Sequence, residues 1–279
     1  MTTAVDSFGA SLRWWRTTRR FSQLDLASAA EVSSRHLSFL ETGKAHPSRE
    51  MVIHLATVLD VPLRDRNRLL HAAGFAPAYS EQDLDTPEMD DVRRVLSWIL
   101  DAHAPNPALV VDRRGDLVDA NRAAFRLMSE LVDEHSPALA APLNSHRIVL
   151  HPDGIRARTA NWPEVAANLL QRMEREQAHR PADEALGALL EEVVAYPDVA
   201  PLRRQAELPT GADLLVTLRA TTRSGDRLQL VTTLATIGAP YDVTLDELRL
   251  ETFFPGDEAT GELLRAWADA EPLPDACRT

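Results

Sequence analysis

The chain has 279 residues, of which 44% are hydrophobic and 26% are charged, so its length suits two domains of ordinary size, each with ample sequence for a core. Its single cysteine, Cys277, excludes an internal disulfide framework and any cysteine-based metal site, and we expect no metal. No run approaches the roughly 18 apolar residues of a membrane span, and the N-terminus lacks a signal-peptide core, so we expect a cytoplasmic protein that does not insert into a membrane.

The net charge of -12 is unevenly distributed along the chain. Residues 1–79 hold 10 Lys and Arg against 7 Asp and Glu, a net charge of +3. Residues 80–279 hold 20 against 35, a net charge of -15. Because DNA would repel the acidic part, a surface that binds nucleic acid must be confined to the N-terminal module.

The first predicted element is a helix over Phe8–Arg20. Phe8, Leu12 and Trp15 recur at the spacing of one inward helix face. The rest of the helix carries four arginines that could reach phosphate groups, namely Arg13, Arg16, Arg19 and Arg20.

Residues 22–43 predict two short helices joined by a tight turn. Ser22 and Asp25 have the spacing of a capping box at the start of the first helix, and Ser33 can cap the second. Gly43 can end the second helix in the left-handed conformation. An ordinary helical hairpin of a bundle is the alternative. Caps, an apolar residue in the turn and a polar outer face coincide here, which favours a motif that binds DNA.

The outward face of the second helix carries short polar side chains and one arginine near the helix N-terminus. Such side chains suit the reading of base edges in the major groove of DNA. We expect Ser34, Arg35 and Ser38 to face bases, and Gln23, Lys44 and Arg19 or Arg20 to contact phosphates. The full set of candidate DNA-binding residues is Gln23, Ser33, Ser34, Arg35, His36, Ser38, Lys44, Arg19 and Arg20.

This segment resembles the helix-turn-helix of the XRE (Cro/λ-repressor-like) family. The matching positions are Ser22, Gln23, Leu26, Ala27, Val32, Ser33, Leu37, Ser38, Glu41 and Gly43. Glu31 departs from the family pattern, because it stands where the turn glycine is usual. A non-glycine residue with positive φ costs about 1 kcal/mol. The resemblance implies an all-α head that binds double-stranded DNA.

A fourth helix that opens at Pro47 and a fifth over Asp60–Ala73 complete a predicted five-helix head. Residues 76–87, APAYSEQDLDTP, are polar, acidic and flanked by proline, which indicates a linker. We therefore predict a DNA-binding domain over residues 1–75 and a second domain over residues 88–279.

The second domain begins with a predicted helix over Glu88–His103. Its apolar stripe consists of Val92, Val95, Leu96 and Ile99. In one interpretation the stripe packs on its own domain, and in the other it forms a dimer interface that links the heads of two subunits. A single head with a net charge of +3 is a modest DNA ligand. We therefore expect a homodimer on a palindrome with half-sites about 10 bp apart.

The remaining elements predict an α+β domain. Helices are predicted over Asn121–Asp133, Pro163–Gln177, Ala182–Tyr196 and Asp257–Ala270. Strands are predicted over Leu109–Val111, Leu117–Val118, Asp213–Thr222, Arg227–Ile237 and Leu245–Phe254. Together they predict a five-stranded antiparallel sheet with helices on one face.

The chain as a whole resembles the MmyB-like transcription regulators. The segments that carry the resemblance in the second domain are ALVVDRRGDLVDAN (108–121), NWPE (161–164) and VTTLATIGAPYDVTLDELRLETFFPGDEAT (231–260). The resemblance implies a PAS-like fold that binds a small apolar, fatty-acid-like ligand without a covalent bond. No other cofactor is implied.

A fatty-acid-like ligand needs an apolar tunnel with one polar end. The wall candidates are Phe125, Leu169, Val216, Leu218, Leu230 and Thr232. The candidates for the polar mouth are Arg122, Asn161 and Trp162. For each of these residues the alternative is that it fills a closed core.

Sequence motifs for catalysis are missing from this chain. It has no nucleophile-elbow, phosphate-loop, zinc-protease or dinucleotide-binding motif, so we expect no enzyme and no catalytic residues. Three alternatives stay open: an enzyme or catalytic sensor built on the second domain, a structural nucleoid or antitoxin-type protein whose tail serves assembly, and a DNA-binding protein whose second domain serves dimerisation without a ligand.

Overall fold

The computed structural model describes residues 7–204, 217–236 and 241–270. These residues belong to two units. The first unit contains residues 7–82 and 241–246, and the second contains the other described residues. The division after Gln82 falls inside the predicted linker.

Five helices span residues 8–72 of the first unit. They are α1 (Phe8–Thr18), α2 (Gln23–Ala29), α3 (Ser34–Glu41), α4 (Arg49–Val58) and α5 (Leu63–Ala72). The predicted inward face of α1 is confirmed, since Phe8, Leu12 and Trp15 are buried. They pack in one core with leucines of the other helices, among them Leu37 and Leu55.

Local signals define where these helices begin and end. Ser22 and Asp25 form both hydrogen bonds of the predicted capping box, and the Ser33 hydroxyl caps α3. Gly43 follows α3 with a φ of 72°. The first and fifth helices are shorter than predicted, because Arg20 (φ 61°) and Asp60 (φ 48°) adopt left-handed conformations that no helix continues.

The second unit contains the predicted five-stranded antiparallel sheet, counted over the described residues. Its strands are β1 (Ala108–Val111), β2 (Leu117–Ala120), β3 (Thr217–Thr221), β4 (Arg227–Thr236) and β5 (Arg249–Pro255). Their order in the sheet is β2-β1-β5-β4-β3, and each neighbouring pair is antiparallel. β1 and β5, the first and last strands in the sequence, are therefore adjacent in the sheet.

Further helices lie before, between and after the strands. They are α6 (Asp90–Ala102), α7 (Arg122–Leu131), α8 (Ser145–Leu150), α9 (Trp162–His179), α10 (Glu184–Val194), α11 (Val243–Glu247) and α12 (Glu258–Asp269). The last predicted strand was expected to begin at Leu245, which is wrong. Residues 243–247 form α11 instead, because the Asp242 carboxylate accepts hydrogen bonds from the backbone N–H groups of Thr244 and Leu245. Residues 213–216 of another predicted strand lie outside the described residues.

Two asparagines fix helices onto the sheet. The Asn121 side-chain oxygen accepts from the N–H groups of Ala108 and Ala124, both at 3.0 Å, and so joins β1 to the start of α7. The Asn161 amide bonds to the backbone of β3 just before α9 begins. These anchors place α7 and α9 over one face of the sheet.

Candidate DNA-binding and ligand-binding sites

The outer face of α3 presents the predicted base-reading residues. Ser34 and Arg35 are exposed, whereas His36 and Ser38 are half-buried. Ser33 is exposed as well, and its hydroxyl accepts a hydrogen bond from the His36 N–H at 3.1 Å. Ser33 therefore serves as a helix cap.

Phe39 organises two cations on this face. The Arg35 guanidinium carbon lies 5.3 Å from the centre of the Phe39 ring, and the Lys44 ammonium nitrogen lies 5.9 Å from it. A cation over an aromatic face gains about 0.5–1 kcal/mol at an exposed site. This aromatic residue, which the sequence analysis did not single out, pre-orients a base-reading candidate and a phosphate-contacting candidate.

A buried ion pair supports α3 from behind. Arg16 binds both carboxylate oxygens of Glu41, with Nε–Oε1 and Nη2–Oε2 distances of 2.5 and 3.0 Å. Arg16 also donates to the Phe21 carbonyl. The prediction that Arg16 reaches phosphate is therefore wrong, because its guanidinium is buried and fully engaged inside the head.

Two further phosphate candidates have partners within the head. The Gln23 amide nitrogen donates to Glu41 Oε2 at 2.8 Å. The Arg19 guanidinium donates to the carbonyls of Leu59 and Asp60 at 3.1 and 2.9 Å. Their contact with phosphate stays a prediction, and it requires these bonds to be exchanged or shared. Arg20 and Lys44 are exposed.

The approach of α1 to α3 depends on Gly9. A Cβ atom at this position would lie 2.5 Å from the Leu40 carbonyl oxygen and 2.6 Å from that of Glu41. Glycine therefore lets the two helix backbones come close enough for the Arg16–Glu41 pair to form. In the turn before α3, Glu31 has a φ of 52°. This is the left-handed conformation, and the helix-turn-helix pattern usually has glycine at this position.

A cavity of about 420 Å³ lies in the second unit, between the sheet and helices α7, α8 and α9. Its sheet wall includes a row of directly opposed residues, Leu109 on β1, Glu251 on β5 and Leu234 on β4. Its helix wall is mostly apolar, with Met128, Ile148 and other side chains facing the space. Such a volume and lining suit a small apolar molecule.

The predicted wall residues have different positions. Those that line the cavity are Phe125, Leu169, Leu218 and Thr232. Leu230 is fully buried in the core beside Leu218 and does not line the space. Val216 lies outside the described residues.

The predicted polar mouth is not built by the residues expected there. Arg122 lines a separate, smaller cavity, where its guanidinium donates to the Ala270 carbonyl at 2.9 Å. Asn161 uses its amide on the β3 backbone. Trp162 is a buried core residue whose indole N–H donates to the Val149 carbonyl at 2.8 Å. Asn161 and Trp162 are thus engaged at the start of α9, and neither lines the cavity.

Other polar residues line the cavity instead. Arg172 on α9 binds Glu251 on β5, with an Nη2–Oε1 distance of 2.7 Å. Ser145 also faces the space, and its hydroxyl oxygen is buried without a hydrogen-bond partner among the described residues. The sequence signal for this site is an acidic residue at an inward position of an alternating strand. Glu251 stands two places before Phe253 and therefore on the same face of the strand.

His146 lies next to this polar end. Burial lowers the pKa of His146 to about 3, and the positive charge of Arg172 acts in the same direction. A hydrogen bond to the Arg114 backbone opposes this shift. The imidazole is therefore neutral at physiological pH. Its Nδ1 atom is buried and, within the described part of the chain, has no hydrogen-bond partner.

The described residues contain neither a membrane-crossing helix nor a metal-binding cluster. No described helix is both long and apolar enough to cross a bilayer. The same residues hold no group of three or more His, Cys, Asp or Glu side chains arranged to bind a metal ion.

Comparisons with solved structures and curated proteins return partial matches. Uncharacterized HTH-type transcriptional regulators of Mycobacterium bovis and Mycobacterium tuberculosis are 32% identical over 118 residues, which is 40% of this chain and 40% of each relative. The chain thus matches about two fifths of the length of these curated relatives. An RNA-binding light-oxygen-voltage receptor aligns over 93% of this chain and 63% of its own, at 14% identity and with a TM-score of 0.25.

Family models account for most of the chain. A helix-turn-helix domain model matches residues 7–69, which include α1 to α4. A model of the MmyB-like transcription regulator ligand binding domain matches residues 92–266, which include the sheet and the cavity. Since this second match spans more than half of the chain, the protein belongs to the MmyB-like transcription regulator family, with a helix-turn-helix domain followed by a ligand binding domain.

Proposed function

We propose that this regulator binds specific DNA sequences and that its ligand-binding domain takes up a small apolar, fatty-acid-like ligand. The observation that carries the proposal is the cavity of about 420 Å³, with walls that are mostly Leu, Ile, Val, Met and Phe side chains. Burial of each methylene of an alkyl chain contributes about 0.8 kcal/mol. A chain of medium length can therefore bind tightly without a covalent bond, and the proposal needs no other cofactor.

In the proposed complex with DNA, Arg35, Ser34 and Ser38 contact base edges. The exposed Arg20 and Lys44 contact phosphates. Support for this assignment comes from the exposure of Ser34 and Arg35 and from the Phe39 ring that orients Arg35. The head is basic, whereas residues 80–279 carry a net charge of -15 and are repelled by DNA. Because its operator is DNA, we place the protein in the cytoplasm.

The proposed assembly is a homodimer that binds a palindrome. Support comes from α6, where Leu96 and Leu100 are buried in their own domain but Val95, Trp98 and Ile99 are exposed. A tryptophan with 62% of its surface exposed beside two aliphatic residues is an apolar face suited to the same face of a second copy. Half-sites of the operator then lie about 10 bp apart.

Ligand binding regulates DNA binding only if the ligand has different affinities for the arrangement of the two heads that binds DNA and for the arrangement that does not. A ligand with equal affinity for both arrangements shifts nothing, however tightly it binds. The proposal therefore requires a measurable coupling free energy, typically about 1–3 kcal/mol, between the cavity and the operator.

The test begins with selection of an operator from random duplexes by the full chain. Titration of that operator then compares the free protein with protein saturated with n-decanol or decanoate. We expect at least one of these ligands to change the operator Kd by about fivefold or more. If both ligands bind and neither changes the Kd, the second domain is not a ligand-controlled switch, and the dimerisation-only alternative is favoured.

A further inference from the structure

Glu251 is an unusual residue for the wall of an apolar cavity. Its side chain is 8% exposed, and its direct neighbours across the sheet are Leu109 and Leu234. A carboxylate in such surroundings is costly unless it is paired and hydrogen-bonded. The carboxylate must therefore keep a partner in every occupied state of the cavity.

Arg172 is that partner. Its Nη2 atom lies 2.7 Å from Glu251 Oε1, so the one positive and the one negative side chain that line the cavity among the described residues neutralise each other. An incoming carboxylate could bind Arg172 only by sharing it with Glu251 or by displacing that residue. Sharing brings two anions together, and displacement leaves a buried carboxylate unpaired, so both arrangements are unfavourable.

The other polar groups at this end suit a head group that both donates and accepts a hydrogen bond. The Ser145 hydroxyl faces the cavity and has no partner among the described residues. The Glu251 carboxylate adds lone pairs that can accept a hydrogen bond, next to an Arg172 guanidinium whose charge it already pairs.

We propose that the polar end of this cavity selects an uncharged head group that donates a hydrogen bond, such as the hydroxyl of a long-chain alcohol, over an ionised carboxylate. The inference rests on the proposed function, since it concerns the head group of the ligand in the same cavity. The hydroxyl donates to Glu251 and accepts from the Ser145 hydroxyl, while the Arg172–Glu251 pair stays intact. The alkyl chain lies along the apolar walls.

The experiment compares n-decanol with decanoate, which have equal chain length and different heads. Both are titrated into the full chain at pH 8 by calorimetry, with wild type beside Glu251→Gln. Hydrogen bonds to charged groups and the loss of an ion partner each correspond to a tenfold effect or more. We therefore expect wild type to bind n-decanol about tenfold more tightly than decanoate. Glu251→Gln frees Arg172 and should reverse that preference.

Two further variants keep the test independent of folding. Ser145→Ala removes a hydroxyl that has no partner in the described structure, so it should leave thermal stability unchanged and weaken n-decanol by about fivefold. Glu262→Gln makes the same chemical change as Glu251→Gln at an exposed position on α12 and should change neither affinity. Wild type that binds decanoate as tightly as n-decanol would overturn the head-group inference alone. Failure of both probes to bind would overturn the proposed function as well.

Discussion

Removal of Glu41 should destabilise the DNA-binding head strongly. The Arg16 and Glu41 side chains are 10% and 2% exposed, and the pair is bidentate. Glu41→Ala leaves the Arg16 guanidinium buried with the Phe21 carbonyl as its remaining partner, and it removes the acceptor of the Gln23 amide. Breaking a buried pair from one side costs about 3–5 kcal/mol. Because Arg16 keeps one hydrogen bond, we expect the lower value, about 3 kcal/mol.

Native-state hydrogen exchange measures this effect in the full chain, because it reports the opening of α1 and α3 separately from the second unit. A loss of about 3 kcal/mol corresponds to a fall of about a hundredfold in the protection of the slowest amides of these helices. Glu31→Gln, a change at an exposed head carboxylate, should leave their protection unchanged.

The double variant Arg16→Met/Glu41→Leu tests the physical cause. If the cost comes from an unpaired buried charge, replacing both partners with apolar side chains of similar size should recover most of the protection. A fall of less than about fivefold in Glu41→Ala would refute the reasoning. Equal losses in the single and double variants would show that packing, and not the lone charge, sets the cost.

Three other predictions address DNA binding, pH dependence and assembly. Arg35→Ala should cost about 1–3 kcal/mol of operator binding and relax the preference at one base pair. Lys44→Ala should weaken binding to all sequences alike and reduce the slope of log K against log salt concentration by about 1. Fluorescence anisotropy with randomised duplexes measures both effects. The Arg147 side chain holds the pKa of Glu192 at about 2, below its ordinary value of 4.5, so the pair should stabilise the fold above pH 4.5 and lose this contribution as the pH falls towards 2. Since this pair is partly exposed, the contribution should stay below about 1 kcal/mol, measured as the difference in Tm between wild type and Glu192→Gln at pH 7 and pH 3. Trp98→Asp should convert the proposed dimer into a monomer in light scattering, and an unchanged mass would rule out this face as the interface.

Sequence reasoning predicts the local features of this fold well. Caps such as Ser22 and Ser33 act over three residues, and the burial of Phe8 and Leu12 follows from helical spacing. These interactions depend on neighbours in the chain, so their signals stand next to each other in the sequence. The exception is the start of β5, where the Asp242 side chain turns an apolar stretch into a helical turn.

Long-range pairs could not be predicted in the same way. Arg16 and Glu41 are 25 residues apart, and Arg172 and Glu251 are 79 residues apart. Nothing local distinguishes Arg16, Glu41 and Arg172 from solvated charges, because their burial follows from how helices and strands pack, and only the strand alternation around Glu251 gives a local signal. The predicted phosphate contact of Arg16 failed for this reason, and the polar end of the cavity was sought at the wrong residues.

Native mass spectrometry of the full chain, purified without delipidation, tests the central claim most directly. Wild type should carry a non-covalent small molecule that solvent extraction recovers with an alkyl chain, because the cavity is apolar and large enough to retain one. Leu169→Trp, which places a larger side chain at the cavity wall, should be folded and free of it, whereas Val118→Leu on the exposed part of β2 should retain it. Wild type that carries no such molecule and takes up neither n-decanol nor decanoate would contradict the account.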